Sequence, residues 1–315
     1  MDCYTLELVH ERDERAERQG VGPMMRSVPC AYILTMHETE TFPWLHGVAR
    51  RTYVQRNRGF RACAKTQGSM HGPTSMYGPN GPRVDATNQD LIHAYRAVFA
   101  SALLLQSASA PAPAPVLVFE DDARLTRTAR QDLAHVDRFV ATRAFSVYTL
   151  GSFGAMVPYS GAFRHWRFVG SAFSFTHAVI YSPSAVRAVL DAVVGPRDHV
   201  DGKVVGPMPL KITYARPIAY QVFDAGNKSE NSATWCARCD GGALSLAIDA
   251  AVREFAWLYF GMLGLKAENG WYVMYTLHQF FVVLCVCVLC ALCAILAWVV
   301  RRSRGRDLRY TAKGP

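Results

Sequence analysis

Val116-Leu117-Val118-Phe119-Glu120-Asp121-Asp122-Ala123 is the stretch on which the reading of this chain turns. Four apolar strand formers run directly into three acids. A short apolar run bounded by turn residues reads as a buried strand. Ligands in open α/β sheets lie beyond the carboxyl ends of such strands. Carboxylates crowded at that position repel one another unless a cation sits between them. Hard oxygen ligands of this kind suit Mg²⁺ or Mn²⁺, ions that commonly bridge to phosphate. A solvated acidic turn leading into the next helix is the plain alternative, and this stretch alone leaves the two open.

Outward from these residues the elements alternate. Residues 31–35 read as a short strand. Residues 42–58 read as a helix with a basic end at Arg50, Arg51, Arg56 and Arg58, and 60–64 as a second strand. Residues 68–87 contain Gly72-Pro73, Gly78-Pro79 and Gly81-Pro82 and read as a long loop. Asn88 caps a helix running to about residue 106, and 107–115 (SASAPAPAP) is an extended connector. Downstream, 128–143 is amphipathic, with Leu133, Val136, Phe139 and Val140 on one face. Strands are expected at 146–150, 173–181 and 211–215, with a helix at 184–194 led in by Ser182-Pro183. The alternation predicts an α/β domain with a largely parallel sheet.

The chain has 315 residues and a net charge of +9. Residues 301–315 hold five arginines and Lys313 against Asp307, a local +5, which leaves about +4 for the rest. That is no nucleic-acid signature. The segment 280–300 has no formal charge, is preceded by Trp271, Tyr272 and Tyr275, and is stopped by Arg301 and Arg302. It predicts one C-terminal transmembrane helix with the lipid bilayer as a partner. The side of the membrane is open, because a basic tail favours a cytosolic C-terminus while the first 27 residues hold no signal-peptide core. The expected organisation is a charged, mobile leader at 1–27, a globular α/β domain at 28–242, an amphipathic juxtamembrane helix at 243–270, the membrane helix at 271–300, and a basic tail at 301–315. Nine cysteines show no disulfide framework. Cys236 and Cys239 form one CxxC, which reads as a local disulfide or two inert thiols, since a zinc site needs a second such half.

The order of these motifs resembles glycosyltransferase family 25, the lipooligosaccharide and collagen galactosyltransferases. The match begins with the strand at 31–35 and Arg50/Arg51. It continues through His93 on a helix, VLVFEDDA at 116–123, Tyr148-Thr149-Leu150-Gly151, the segment 170–190 and Asp201-Gly202. It closes on Pro217-Ile218-Ala219-Tyr220-Gln221. It covers about residues 31–221. It departs from the family where a Ser is missing before His93 and where the Gly/Pro loop 68–87 has no counterpart. The resemblance implies a GT-A type, Rossmann-like fold with a mostly parallel sheet flanked by helices, a UDP-sugar donor, a divalent metal (Mn²⁺ or Mg²⁺) and inversion at the sugar carbon.

On that basis Glu120 and Asp122 are the expected metal ligands. Thr35, Arg50, Arg51 and Asp121 are expected at the donor, and His93 and Gln221 at the substrate. Asp201 is the expected general base, an inverting transfer needing one near the acceptor hydroxyl. Asp-Gly is also a common turn pair, and His199, two residues away, competes for the role. His177 lies within a strand and reads as a packed histidine. The expected activity is transfer of a hexose, galactose or glucose, to a glycan or protein acceptor. The rival classes are a non-catalytic membrane-anchored binding protein on the same fold, and a nucleotidyltransferase, which would carry a Gly-rich phosphate loop after Thr35.

Overall fold

The computed structural model describes residues 4–11, 22–35, 40–57, 83–107, 113–159, 164–174, 176–193, 200–221, 284 and 287–302. The chain divides into two compact units, Met1–Tyr272 and Val273–Pro315.

The first unit is built on a nine-stranded sheet. In chain order its strands are β1 (Tyr4–Glu11), β2 (Cys30–Thr35), β3 (Arg51–Asn57), β4 (Val116–Glu120), β6 (Val147–Thr149), β7 (Phe153–Pro158), β8 (His165–Ser174), β9 (Ala178–Tyr181) and β10 (Lys211–Tyr214). Their order across the sheet is β1-β3-β2-β4-β9-β6-β10-β8-β7. A separate two-stranded sheet pairs β5 (Ala123–Leu125) with β11 (Ala219–Gln221), antiparallel. The helices are α1 (Arg83–Ser107), α2 (Ala129–Thr142) and α3 (Pro183–Asp191), with a 3-10 turn at Pro43–Leu45 and a π-helical turn at Val200–Val205.

The expected mostly parallel, Rossmann-like sheet is not what forms. β2 is parallel to β3 and to β4, and β10 is parallel to β6. The other five pairings of the large sheet are antiparallel. β9 decides this, because it enters antiparallel between β4 and β6 in the middle of the sheet. The sheet is therefore mixed and mostly antiparallel.

Central strands here are apolar throughout because both faces are covered. Along β9, Ala178 and Ile180 join the cluster that α2 completes with Leu133, Val136, Phe139 and Val140. Tyr181 points to the other face, where its ring meets Tyr95 and Phe99 of α1 at 6.0 and 4.8 Å. Each such fully buried side chain contributes about 1.5–3 kcal/mol. Ser182 caps α3, its hydroxyl accepting from the Ala185 amide at 3.2 Å, with Pro183 in the first turn, as the sequence leads one to expect.

Three expectations about elements are corrected. Residues 42–58 do not form one helix: Pro43 starts a single 3-10 turn, and Thr52, Tyr53 and Val54 are strand formers placed in β3. Residues 4–11 are not loose leader but the edge strand β1, whose Glu11 and Glu7 pair with Arg51 and Arg56 at 2.6 and 3.3 Å. Both ion pairs are at the surface and contribute roughly 0–1 kcal/mol each. The β7–β8 hairpin lies where only the end of a strand was expected, and the segment 173–181 divides between β8 and β9.

In the second unit the described helical run is 287–302, which includes Arg301 and Arg302. Among the described residues no helix is long and apolar enough to cross a membrane, so the expected single-pass anchor is not supported. The expected strand at 60–64, the helix at 244–265, and Cys236 and Cys239 lie outside the described residues.

Candidate functional site

β2 and β4 are parallel neighbours, with Leu34 opposite Glu120. Their carboxyl ends therefore bring Thr35 and the acidic turn together. The Thr35 hydroxyl donates to Asp121 Oδ2 at 2.9 Å. The β5–β11 pair follows at once and sets Gln221 opposite Ala123, so that Gln221 Nε2 donates to Asp122 Oδ2. Two of the expected site residues, one from each end of the matched region, are thus joined to the acidic turn.

The three acids have different surroundings. Glu120 Oε1 accepts from the Tyr95 hydroxyl of α1 at 3.1 Å and from the Thr176 hydroxyl at 3.0 Å. Asp121 faces Thr35. Asp122 is half-buried, and its Oδ1 is buried with no hydrogen-bond partner among the described residues. Burial pushes the Asp122 pKa up to about 6, against the Gln221 hydrogen bond and with help from the neighbouring Asp121 charge. Asp121 is thus the acid whose charge acts on Asp122.

Arg124 stands over this turn. Its Nη1 donates to the Asp121 carbonyl at 2.6 Å, its Nη2 meets Glu40 at 3.5 Å, and its guanidinium lies 5.6 Å from the Trp44 ring centroid. Arg50 and Arg51 are elsewhere. Arg51 is in register with Cys30 at the start of β2, five residues from the Thr35 level, or about 16 Å at 3.3 Å per residue. The arginine in register with Thr35 is Arg56, which also donates to the Glu40 carbonyl at 3.3 Å. His93 is half-buried on α1, two residues before Tyr95 and so about 200° around the helix from it. It is Tyr95 that reaches Glu120. Asp201 lies on the π-helical turn Val200–Val205, which packs against α1 and β8. His199 lies outside the described residues.

Sequence reasoning missed Tyr95, Thr176, Arg56 and Arg124. Arg124 had a signal, since it follows the acids by two residues on a strand. Tyr95 and Thr176 had none, because their partner is set by the packing of α1 and β9 on β4.

His177 is a packed histidine, as expected, although it lies in the bend just before β9 rather than within a strand. It is buried, and its backbone carbonyl accepts from the Glu120 amide at 2.9 Å. Burial lowers its pKa to about 4, opposed by a hydrogen bond with the Ala219 backbone. A His whose folded pKa lies below its unfolded value of about 6.5 costs nothing above that pH. Its cost grows as pH falls and is complete near pH 4, at about 3 kcal/mol for this shift. Asp122 acts in the opposite sense, its raised pKa relieving the folded state as pH falls through 6. The expected result is that His177→Asn shows a flatter loss of urea midpoint between pH 6.5 and 4 than the unmodified chain. Parallel pH profiles would refute it.

Gly151 holds the β5–β11 layer close. A Cβ there would stand 2.0 Å from the Ala219 carbonyl oxygen and 3.0 Å from His177 Nε2. Backbone cannot yield as a side chain tip does, so Gly151→Ala must push β11 away, and Gln221 with it. The expected destabilisation is about 3 kcal/mol, the upper end of overpacking costs. A melting temperature unchanged from the parent would contradict this.

The residues present fit a divalent cation in part. Asp121 and Asp122 offer hard oxygen ligands side by side, and the unpartnered Asp122 Oδ1 is an acceptor that a cation or a proton satisfies. Glu120 is already engaged by two hydroxyls. Among the described residues no three His, Cys, Asp or Glu side chains converge as a metal cage, so remaining ligands would come from substrate and water. Comparison with known proteins found no matching family model and no matching curated protein.

Proposed function

We propose that the chain transfers a sugar from a nucleotide-sugar donor, a UDP-hexose, to a glycan or glycoprotein acceptor. The Thr35–Asp121 hydrogen bond carries this reading, because it closes the carboxyl ends of two adjacent parallel strands around an acidic turn. Crevices at that position receive nucleotides.

Asp121 and Asp122 would hold the cation, which when bound neutralises charge on the diphosphate leaving group. Gln221 fixes the Asp122 carboxylate by its amide hydrogen bond. Tyr95 and Thr176 fix Glu120, and through it the end of β4. Arg124 supplies positive charge beside the turn, in the part expected of Arg50 and Arg51. In an inverting displacement the acceptor oxygen bonds to the anomeric carbon as the bond to the diphosphate breaks, and Asp201 takes the acceptor's proton. The turn that carries Asp201 packs on α1, the helix that also supplies Tyr95. His93 is assigned to the acceptor side.

The test is UDP release by the full chain across a panel of UDP-hexoses, with and without Mn²⁺. Mn²⁺-dependent release with at least one donor is the expected result. Binding of UDP with Mn²⁺ but no turnover on any donor would leave the non-catalytic binding protein as the reading. Absence of both would refute the site.

A further inference from the structure

A second charged feature lies on the α2 side of the sheet, apart from the acidic turn in its residues. A groove of about 470 Å³ runs between the segment preceding β2 and the exposed face of α2, lined by Gly22, Arg26, Arg130, Ala134, Asp137 and Arg138. Arg130, Ala134 and Arg138 follow one another at i, i+4 and i+8, so they share one face of the helix. The Arg26 guanidinium folds over Gly22, where a Cβ would meet its Nη2 at 3.2 Å.

The charges of this groove are unbalanced. Its one acid, Asp137, is turned to the chain, its Oδ1 accepting from the Ser27 amide at 2.8 Å. Arg26 and Arg130 have no ion pair with an acid among the described residues. Arg138 Nη2 lies 2.6 Å from His135 Nδ1, and Arg164 Nη1 lies 3.0 Å from the same nitrogen. Burial, and then the Arg164 and Arg138 charges, hold that imidazole below its usual range; Asp132 opposes them and Arg216 adds to them. Two guanidiniums therefore meet one imidazole, and two further arginines of the groove, Arg26 and Arg130, have no acid partner among the described residues.

Guanidinium groups pair bidentately with planar or tetrahedral oxyanions. Arg130 and Arg138 leave the helix two turns apart, about 12 Å along its axis at 1.5 Å per residue, so the cations are strung along the groove. That spacing suits an extended chain bearing several anionic groups. None of the lining residues is aromatic, so the groove offers no platform for stacked bases of single-stranded nucleic acid.

We infer that this groove binds an anionic saccharide chain, sulfated or phosphorylated, at a place apart from the transfer itself. The choice of a saccharide rests on the function proposed above, whereas the binding of an extended polyanion does not. The experiment is calorimetric titration of the full chain with a sulfated chondroitin hexasaccharide, its unsulfated counterpart, sodium sulfate, and a thymidine octanucleotide. The sulfated hexasaccharide is expected to bind at least about tenfold more tightly than each of the others, and more weakly as salt is raised. The double substitution Arg26→Ala with Arg130→Ala should lose at least tenfold of that affinity. Both side chains are exposed, so folding is retained, and a melting curve checks it. Arg187→Ala, an exposed arginine on α3, should change nothing. The His135 imidazole should titrate at higher pH when the hexasaccharide is bound, an effect that a purely structural arginine pair would not produce.

Equal binding by the double variant, equal binding of the unsulfated chain, or tighter binding of the octanucleotide would overturn the inference. Free sulfate binding as tightly as the hexasaccharide would overturn the extended-ligand assignment. Hydrolysis of a UDP-hexose by water does not use the groove, so loss of that activity in the parent chain would count against the proposed function alone.

Discussion

Asp122→Asn is expected to abolish sugar transfer, by at least about 10³-fold, together with Mn²⁺-dependent binding of UDP. The carboxylate is one of two oxygen ligands beside the proposed cation, and its Oδ1 has no other partner. The substitution keeps the shape and leaves Gln221 a carbonyl acceptor for its amide. It also removes a buried charge whose pKa stands at about 6. Stability at pH 7 should therefore be unchanged or higher, since the ionised form is the one that burial penalises. Loss of function with gain of stability separates a functional carboxylate from a structural one. The parent chain should lose UDP binding as pH falls through 6, where a proton takes the place of the cation. Full activity in the variant, or indifference of the parent to chelators, would sink the cation site.

Asp201→Asn is expected to lower turnover by about 10²–10⁴ with UDP binding nearly unchanged, the range for removal of a general base. A carboxylate in the proposed role of base would accept a proton only in the transition state, so the loss should fall on kcat and spare donor affinity. His199→Gln should cost far less. If the two variants exchange these effects, the base is His199. If neither slows the reaction, neither residue takes part in proton transfer.

What the sequence revealed depended on what kind of contact makes each feature. β2, β4 and β9 were legible as strands because each is an unbroken apolar run, and that signal reports cover on both faces. It carries no information about direction. β9 was read as one more parallel strand, although it runs antiparallel between β4 and β6. Residues 42–58 misled for a local reason. Their arginines suggested a basic helix end, whereas Arg51 and Arg56 are cross-strand partners of Glu11 and Glu7, residues taken for a loose leader. The uncharged stretch 280–300 led to a membrane anchor that the described helix does not support.

The site was legible in part. Thr35, Asp121, Asp122 and Gln221 come together because strand ends and their following turns are written in the local sequence. Arg50 and Arg51 were assigned to the donor on the resemblance alone, and the register of β3 sets them a strand's length away from Thr35. Tyr95 and Thr176 were invisible, since only the packing of α1 and β9 against β4 gives Glu120 its two donors.

The central place of β9 also orders the assembly of the protein in time. β4 is complete at residue 120, yet the strand that flanks it on one side begins at Ala178, and the strand that seats Gln221 on Asp122 ends the described part of the first unit. A chain that has folded only through α2 would hold β4 with one edge open, and the acidic turn without its lid. Pairings this distant in sequence slow folding and leave strand edges exposed meanwhile. The acidic turn is thus made about a hundred residues before the strand that completes it as a site.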